Sequence, residues 1–98
     1  MNVKFFGSSI NAIYADNTVE LVSPQERVWS GQAKFISART IEGDLGVLPD
    51  HAPLFGVLVD GVVRIDGVDG TSKEFNIHGG FISVSNNRVS ILTESTNK

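Results

Sequence analysis

Apolar side chains alternate with polar ones along this chain, and this period of two limits the fold more than any other feature. Five runs show the alternation, whereas no segment keeps the i, i+3, i+4, i+7 apolar spacing of an amphipathic helix. Residues two apart in a strand share a face, so each run is predicted to bury one face. The predicted inward positions are Val19, Leu21, Ala33, Phe35, Val63, Ile65, Phe75, Ile77, Val89 and Ile91, with Lys34 and Ile36 among the outward ones.

Turn sequences separate the alternating runs. Ser30-Gly31 is predicted to break the first long segment, and three Asp-Gly pairs, at 60–61, 66–67 and 69–70, punctuate the middle of the chain. Ser85–Arg88 contains paired asparagines, which tolerate the left-handed conformation that tight hairpins need. Several short strands with turns at this spacing predict an all-β sandwich or barrel.

The composition narrows the class of protein. With 98 residues and 41% apolar side chains, the chain is expected to form one packed domain. The absence of cysteine excludes disulfides and cysteine-ligated metal or haem, and the net charge of −3 argues against a nucleic-acid partner. No run approaches the ~20 apolar residues of a membrane span. Polar residues within positions 7–11 argue against a signal peptide at the start.

The stretch Glu42–Leu54, EGDLGVLPDHAPL, is predicted to be a structured loop. Its two prolines fix their own φ angles and restrict the residues before them, while Gly43 and Gly46 permit close approaches. Leu45 and Val47 nevertheless place apolar side chains in its middle. A stiff, partly apolar, acid-bearing loop on a rigid scaffold suits docking to another protein.

Acidic residues are concentrated in the middle of the chain. Residues 42–69 contain six acids against one base, Arg64, whereas the preceding segment has three acids and four bases. If these acids cluster in space, they favour a basic partner. The alternative is that they solubilise turns, where aspartate is common.

Few residues have the chemistry for catalysis or metal binding. His51 and His78 are the only histidines and lie 27 positions apart without a short-range ligand pattern, so no metal site is predicted. The sequence has no nucleophile elbow and no phosphate-binding loop. We therefore predict neither catalytic residues nor a cofactor. Trp29, the sole tryptophan, is predicted to lie in or beside the core, with a protein interface as the alternative.

The loop sequence EGDLGVLPDHAPL resembles the glycine, leucine-proline and histidine-proline loop of the ε subunit of F-type ATP synthase. The resemblance extends over Thr18–Glu94, through TVELVSPQERVWSGQAKFI, HGGFISV and RVSILTE, in the order of that family. It implies a flattened β-sandwich or barrel of about ten short strands over residues 18–94. Residues 1–17 are then an N-terminal extension, with Val3–Phe6 as a candidate extra strand, and residues 95–98 are a short tail.

The resemblance also implies a function. Members of that family belong to the central stalk, where they bind the γ subunit and rest on the polar loops of the membrane c-ring. They couple ion-driven rotation to ATP synthesis and are not catalytic. The resemblance implies peripheral membrane association through the complex, on the cytoplasmic face of a bacterial membrane, with a plastid thylakoid left open. The alternative is a non-catalytic β-sandwich binding module for carbohydrate or protein.

The resemblance assigns residues of this chain to two contact surfaces. The c-ring-facing loop comprises Glu42, Gly43, Asp44, Leu45, Gly46 and His51. The γ-facing positions are Ser23, His51 and Gly56. The carboxylates of Glu42 and Asp44 would provide an electrostatic complement to polar or basic loops of the c-ring.

The chain departs from the usual pattern of the family in two places. Family members usually continue past the last strand into two antiparallel helices, whereas this sequence stops at Lys98, a few residues beyond that strand. We therefore expect docking and coupling without helix-mediated inhibition or nucleotide sensing. The segment Met1–Asn17 is longer than the family usually shows before its first strand.

Overall fold

The structure, a computed structural model, describes residues 16–94, 96 and 97. Its strands are β1 (Asn17–Val22), β2 (Arg27–Thr40), β3 (Gly43–Val47), β4 (Leu54–Leu58), β5 (Gly61–Gly67), β6 (Ser72–Ile77), β7 (Gly80–Ser85), β8 (Arg88–Thr93) and β9 (Thr96–Asn97). The predicted all-β class is confirmed, with nine strands in the described part of the chain against about ten expected. The candidate strand Val3–Phe6 lies outside the described residues.

The strands form one sheet that folds back onto β2. Its order is β9-β6-β5-β2-β1-β8-β7-β4, and β3 pairs with β2 as well. Leu58 at the end of β4 pairs with Thr40 at the end of β2, and the Ile41 and Val59 amides add bonds across the same junction. The strands β2, β1, β8, β7 and β4 thus form a closed hydrogen-bonded path, which we call the barrel. The strands β5, β6 and β9 extend from β2 as a wing.

The core lies between the inward faces of the barrel and the wing. Nine of the ten predicted inward residues are buried, the exception being the half-buried Phe35. The buried apolar set also includes Ile36, Ala38, Val47, Leu58, Ile82 and Val84. Full burial of a valine, leucine or isoleucine side chain contributes about 1.5–3 kcal/mol. The period-two pattern therefore supplies most of the hydrophobic stabilisation.

The predicted outward orientation of Ile36 is wrong, because strand β2 changes phase along its length. Ala33, Ile36 and Ala38 are all buried, so the alternation slips by one residue after Ala33. The register against β5 is irregular between Ala33 and Phe35 at the same place. An extra residue in one strand of an antiparallel pair moves all later side chains to the other face.

The predicted break at Ser30-Gly31 is also wrong, since both residues lie inside β2. A Cβ atom at Gly31 would lie 3.0 Å from Cη2 of Trp29, so the indole fills the space that a side chain would need. Trp29 itself is half-buried against the core, as predicted. Glycine is tolerated in this strand because a neighbouring aromatic ring covers it.

The predicted hairpin at Ser85–Arg88 is confirmed. Asn86 and Asn87 have φ angles of 51° and 60°, the left-handed values that a two-residue hairpin turn requires at both central positions. Ser85 pairs with Arg88 across the turn, and the register continues to Gly80 opposite Thr93. The turn chemistry therefore fixes the alignment of β7 with β8.

Strand β7 begins where the backbone passes very close to β8. Gly80 has a φ angle of 126°, and a Cβ atom placed there would overlap the Leu92 carbonyl oxygen. The neighbouring Gly79 carbonyl accepts a hydrogen bond of 2.9 Å from the Thr93 hydroxyl. The Gly79-Gly80 pair therefore lets β7 enter the barrel against β8.

Replacing Gly80 with alanine should destabilise the fold by more than about 3 kcal/mol, since the variant combines left-handed strain with a backbone overlap. Gly43 is the matched control, because its φ angle is 121° and no atom lies within 4 Å of its Cβ position. The Gly43→Ala variant should lose only the strain, about 1–3 kcal/mol. Urea unfolding followed by Trp29 fluorescence measures both losses, and equal losses would contradict the close approach.

Candidate protein-docking surface

An apolar stripe crosses the outer face of the barrel. Val57, Phe81 and Leu92 lie side by side, because Val57 pairs with Phe81 and Phe81 pairs with Leu92. Their exposed fractions are 37%, 46% and 53%, and that of Phe55 is 68%. The Phe55 and Phe81 rings stack with centroids 5.4 Å apart at an interplanar angle of 25°. We call Phe55, Val57, Phe81 and Leu92 the apolar stripe.

The core does not need these side chains. Ile82 and Ile91 already supply the inward positions of β7 and β8, so Phe81 and Leu92 must point outward. Single exposed apolar residues are ordinary, but a contiguous exposed apolar patch indicates an interaction site. This surface was not predicted from the sequence. The sequence does contain a sign of it, because Phe81 and Leu92 are apolar residues at the outward positions of their strands, where polar residues are expected.

Two predicted residues adjoin the apolar stripe without forming it. Gly56 lies between Phe55 and Val57, and its Cβ position faces inward, 3.1 Å from Cγ2 of Ile82. Ser23 follows Val22, which pairs with Leu92. The Ser23 side chain is largely buried, and its hydroxyl donates to the Glu26 carbonyl at 3.3 Å in the turn between β1 and β2.

The predicted loop Glu42–Leu54 is only partly a loop. Its first half forms β3, which pairs antiparallel with β2 from Gly43 opposite Thr40 to Val47 opposite Ile36. The prediction failed here because both prolines follow Val47 and leave the ladder of β3 uninterrupted. Residues 48–53 connect β3 to β4 without regular structure.

The hairpin of β2 and β3 carries two carboxylates at its end. Asp44 accepts a hydrogen bond of 3.0 Å from Arg39 Nε, and both side chains are exposed. Glu42 lies in the turn, where its amide donates to the Thr40 hydroxyl at 3.1 Å. That hydroxyl donates in turn to the Gly43 carbonyl at 2.9 Å. The turn is therefore held by its own bonds, and both carboxylates face solvent.

Leu45 and Gly46 of the predicted c-ring loop lie on opposite faces of β3. Leu45 is half-buried against the core. Gly46 lies beneath the Phe35 ring, since a Cβ atom there would be 2.9 Å from Cζ of Phe35. These residues shape the hairpin, whereas Glu42 and Asp44 present its charge.

His51 lies at the other end of the barrel from the hairpin turn. The turn adjoins Leu58 at the end of β4, whereas His51 precedes the start of β4, about one strand length away. The structure therefore does not bring His51 together with Glu42 and Asp44. His78 precedes the start of β7, and His51 lies near its end. Within residues 16–94, 96 and 97, no three His, Cys, Asp or Glu residues converge as metal ligands.

The acids of residues 42–69 are spread over strands and turns, with Asp44 in β3 and Asp66 in β5. Asp44 and Asp66 pair with arginines, and Asp60 Oδ2 lies 3.8 Å from His78 Nδ1. Asp69 accepts bonds from the Thr71 hydroxyl at 2.7 Å and the Thr71 amide at 3.1 Å. Asp69 therefore orders its turn, which is a more specific role than the predicted solubilising of turns.

Two of these carboxyls titrate below their ordinary range. Bonds from the Ser72 hydroxyl at 2.6 Å and Arg64 Nε at 3.1 Å hold the pKa of Asp66 below the usual 3.8. The Thr71 hydroxyl and amide lower the pKa of Asp69 in the same way. Because these donors bind the charged form, each contribution to stability is present above pH 3.8 and is lost as the pH falls through the folded pKa.

The Asp66→Asn variant should lose less stability on acidification than the parent chain. Between about pH 5 and pH 2, its urea midpoint should fall along a shallower curve, because the asparagine amide does not take up a proton. The Ser72→Ala variant should also flatten the curve, since it removes the stronger of the two donors to the carboxylate. Parallel curves for all three proteins would contradict the assignment.

The chain is similar to known proteins in both sequence and fold. The family model of the ATP synthase delta/epsilon chain beta-sandwich domain matches residues 16–98. The ATP synthase epsilon chain of Corynebacterium diphtheriae is 52% identical over 81 residues, which are 82% of this chain and 66% of that one. The epsilon chain of Rhodococcus erythropolis is 48% identical over 82 residues, 83% of this chain and 67% of that one. The chain thus spans about two thirds of the length of these curated relatives.

Solved structures show the same architecture. A chain in the Euglena gracilis mitochondrial ATP synthase structure, described as OSCP/F1/c-ring, matches with a TM-score of 0.80 at 27% identity, over 85% of this chain and 53% of that one. A chain of the central stalk and c-ring of Tetrahymena thermophila mitochondrial ATP synthase matches with a TM-score of 0.72 at 22% identity, over 85% and 66%, and supports the fold alone. Among the described residues, none belongs to a helix long and apolar enough to cross a membrane.

Proposed function

Because this chain belongs to the family of the ATP synthase delta/epsilon chain beta-sandwich domain, we propose that it acts as a rotor subunit in the central stalk of an ATP synthase. In this role it docks on the γ subunit and on the c-ring and transmits ion-driven rotation. The subunit has no catalytic residues and needs no cofactor, since its work is mechanical. It associates with the membrane peripherally through the complex, at the cytoplasmic face of a bacterial cell.

The observation that carries the proposal is the apolar stripe. The γ-facing positions Ser23 and Gly56 both adjoin this stripe. Ser23 follows Val22, which pairs with Leu92. Gly56 lies between Phe55 and Val57 in β4. An exposed row of apolar side chains on a rigid sheet can bury against a partner without loop ordering. The stripe therefore supplies the contact area. Ser23 orders the turn after β1, and Gly56 lets β4 pack closely on Ile82.

The acidic end of the β2–β3 hairpin is assigned to the c-ring. Glu42 and Asp44 are exposed, while Gly43, Leu45 and Gly46 shape the strand that presents them. Surface carboxylates steer association with polar or basic loops and fix orientation more than they add affinity. Arg39 forms an ion pair with Asp44 and partly neutralises its charge, so Glu42 is the carboxylate more available to a partner. His51 is assigned to a separate contact at the other end of the barrel.

The Phe81→Ser variant should weaken binding to recombinant γ subunit at least about tenfold, because it removes the centre of the stripe and one ring of the stacked pair. Val62→Ser is the matched control, since Val62 is 45% exposed but lies on the wing. Size-exclusion co-elution and titration calorimetry measure the loss, with thermal unfolding to verify folding. Equal affinity of the two variants would refute the stripe as the γ contact, and failure of the folded parent chain to bind γ would refute the rotor role.

The double variant Glu42→Gln/Asp44→Asn should weaken assembly with a detergent-solubilised c-ring and γ roughly three- to tenfold at low salt, with less effect at high salt. Folding should be unchanged, because both side chains are exposed. Glu74→Gln on β6 is the control for the loss of an exposed carboxylate. Unchanged assembly and coupling in the double variant would remove the hairpin from the proposal.

A further inference from the structure

The segment 48–53, which carries His51, is tied to the β7–β8 turn by a reciprocal pair of hydrogen bonds. The Asp50 amide donates to Asn87 Oδ1 at 2.5 Å, and Asn87 Nδ2 donates to Asp50 Oδ1 at 3.1 Å. The two residues lie 37 positions apart in the chain. A backbone bond within this segment runs locally, from the His51 amide to the Leu48 carbonyl at 3.3 Å.

Asn87 is itself well anchored. Its carbonyl accepts a bond of 2.7 Å from the Thr18 amide at the start of β1, and it forms half of the hairpin turn. Asp50 has a φ angle of 65°, a left-handed conformation that is uncommon outside glycine but that aspartate adopts more readily than most residues. The Asp50–Asn87 pair therefore transfers the rigidity of the barrel to the segment that carries His51.

The His51 ring is oriented by a bond within the same segment. Its Nδ1 lies 2.7 Å from the Ala52 carbonyl oxygen. A carbonyl can only accept, so Nδ1 must carry the proton, and in the neutral ring Nε2 is then an acceptor. Asp50, His51 and Pro53 line part of a shallow depression of about 320 Å³ beside this ring. A carboxylate and an imidazole acceptor suit a partner that brings an N–H or O–H group.

We propose that Asp50 and Asn87 are positioning residues, which hold His51 in the Nδ1–H tautomer so that Nε2 accepts a hydrogen bond from a donor side chain of a docking protein. Fixing the segment before docking reduces the entropy lost on binding. The positioning itself depends only on this chain. The identity of the docking protein, and only that, rests on the proposed stalk function.

The test is a two-bond ¹H–¹⁵N spectrum of the histidine rings in the full chain, recorded at about pH 8.5, where ordinary imidazoles are neutral. The chain has two histidines, so His78 serves as an internal reference. The parent protein should show His51 predominantly protonated at Nδ1. Asn87→Asp removes the Nδ2 donor and places two carboxylates face to face, so the His51 signals should move toward a mixture of tautomers.

Two further variants isolate the pair from charge and turn effects. Asn86→Asp makes the same charge change at the adjacent left-handed position, which makes no bond to Asp50, and should leave His51 as in the parent. The double variant Asp50→Asn/Asn87→Asp restores both bonds and should recover the parental spectrum, because the residue 50 amide still donates to the residue 87 side chain and only the side-chain bond reverses its direction. Trp29 fluorescence verifies folding in each case.

The inference is overturned by any of three results. These are a parent His51 protonated at Nε2, an Asn86→Asp variant that changes His51 as much as Asn87→Asp does, and a double variant that fails to recover. Because the spectrum needs no partner, loss of γ binding with an intact tautomer pattern would refute the stalk function alone. Intact γ binding with a tautomer pattern other than the expected one would refute the positioning alone.

Discussion

The hydrogen-bond ladders of strand β2 are the constraint on which the rest of the molecule depends. This strand of 14 residues pairs with β1, β3, β4 and β5, and every other strand reaches it through one of these neighbours. It can serve both the barrel and the wing because its side chains change phase after Ala33, which buries Ile36 and Ala38 on the later half. Without that phase change, one half of β2 would expose its apolar face.

The sequence pattern predicts the simple strands well and fails where a neighbour overrides local preference. Alternation identified the buried residues of five runs, but it could not reveal the irregularity that turns Ile36 inward or the indole of Trp29 that makes Gly31 acceptable in a strand. The glycines of residues 43–47 suggested a loop, whereas pairing with β2 makes them a strand. The acidic hairpin came from family resemblance. The apolar stripe was missed, although Phe81 and Leu92 visibly occupy the polar phase of β7 and β8.

The proposed contacts divide between the two ends of the barrel. The β2–β3 hairpin turn adjoins Leu58 at the end of β4, whereas His51 and the Asp50–Asn87 pair lie beside its start. One end thus offers negative charge and the other a single oriented acceptor, while Phe55 and Val57 of the apolar stripe lie along β4 between them. Contacts at two separate places resist tilting of the subunit relative to its neighbours, because a rotation about one contact displaces the other. Such resistance is useful in a body that must transmit torque.

The parallel pairing of β1 with β8 has a consequence for how the protein is made. Val19 pairs with Val89, so the first and last barrel strands meet across most of the chain, and such long-range closure slows folding. On the ribosome, β1 has only β2 as a neighbour until β8 emerges, and until then the barrel cannot close. Synthesis at about 5–20 residues per second leaves the apolar edges of β1 and β2 exposed for several seconds. The nascent domain is therefore most vulnerable to aggregation and to chaperone capture just before β8 is released.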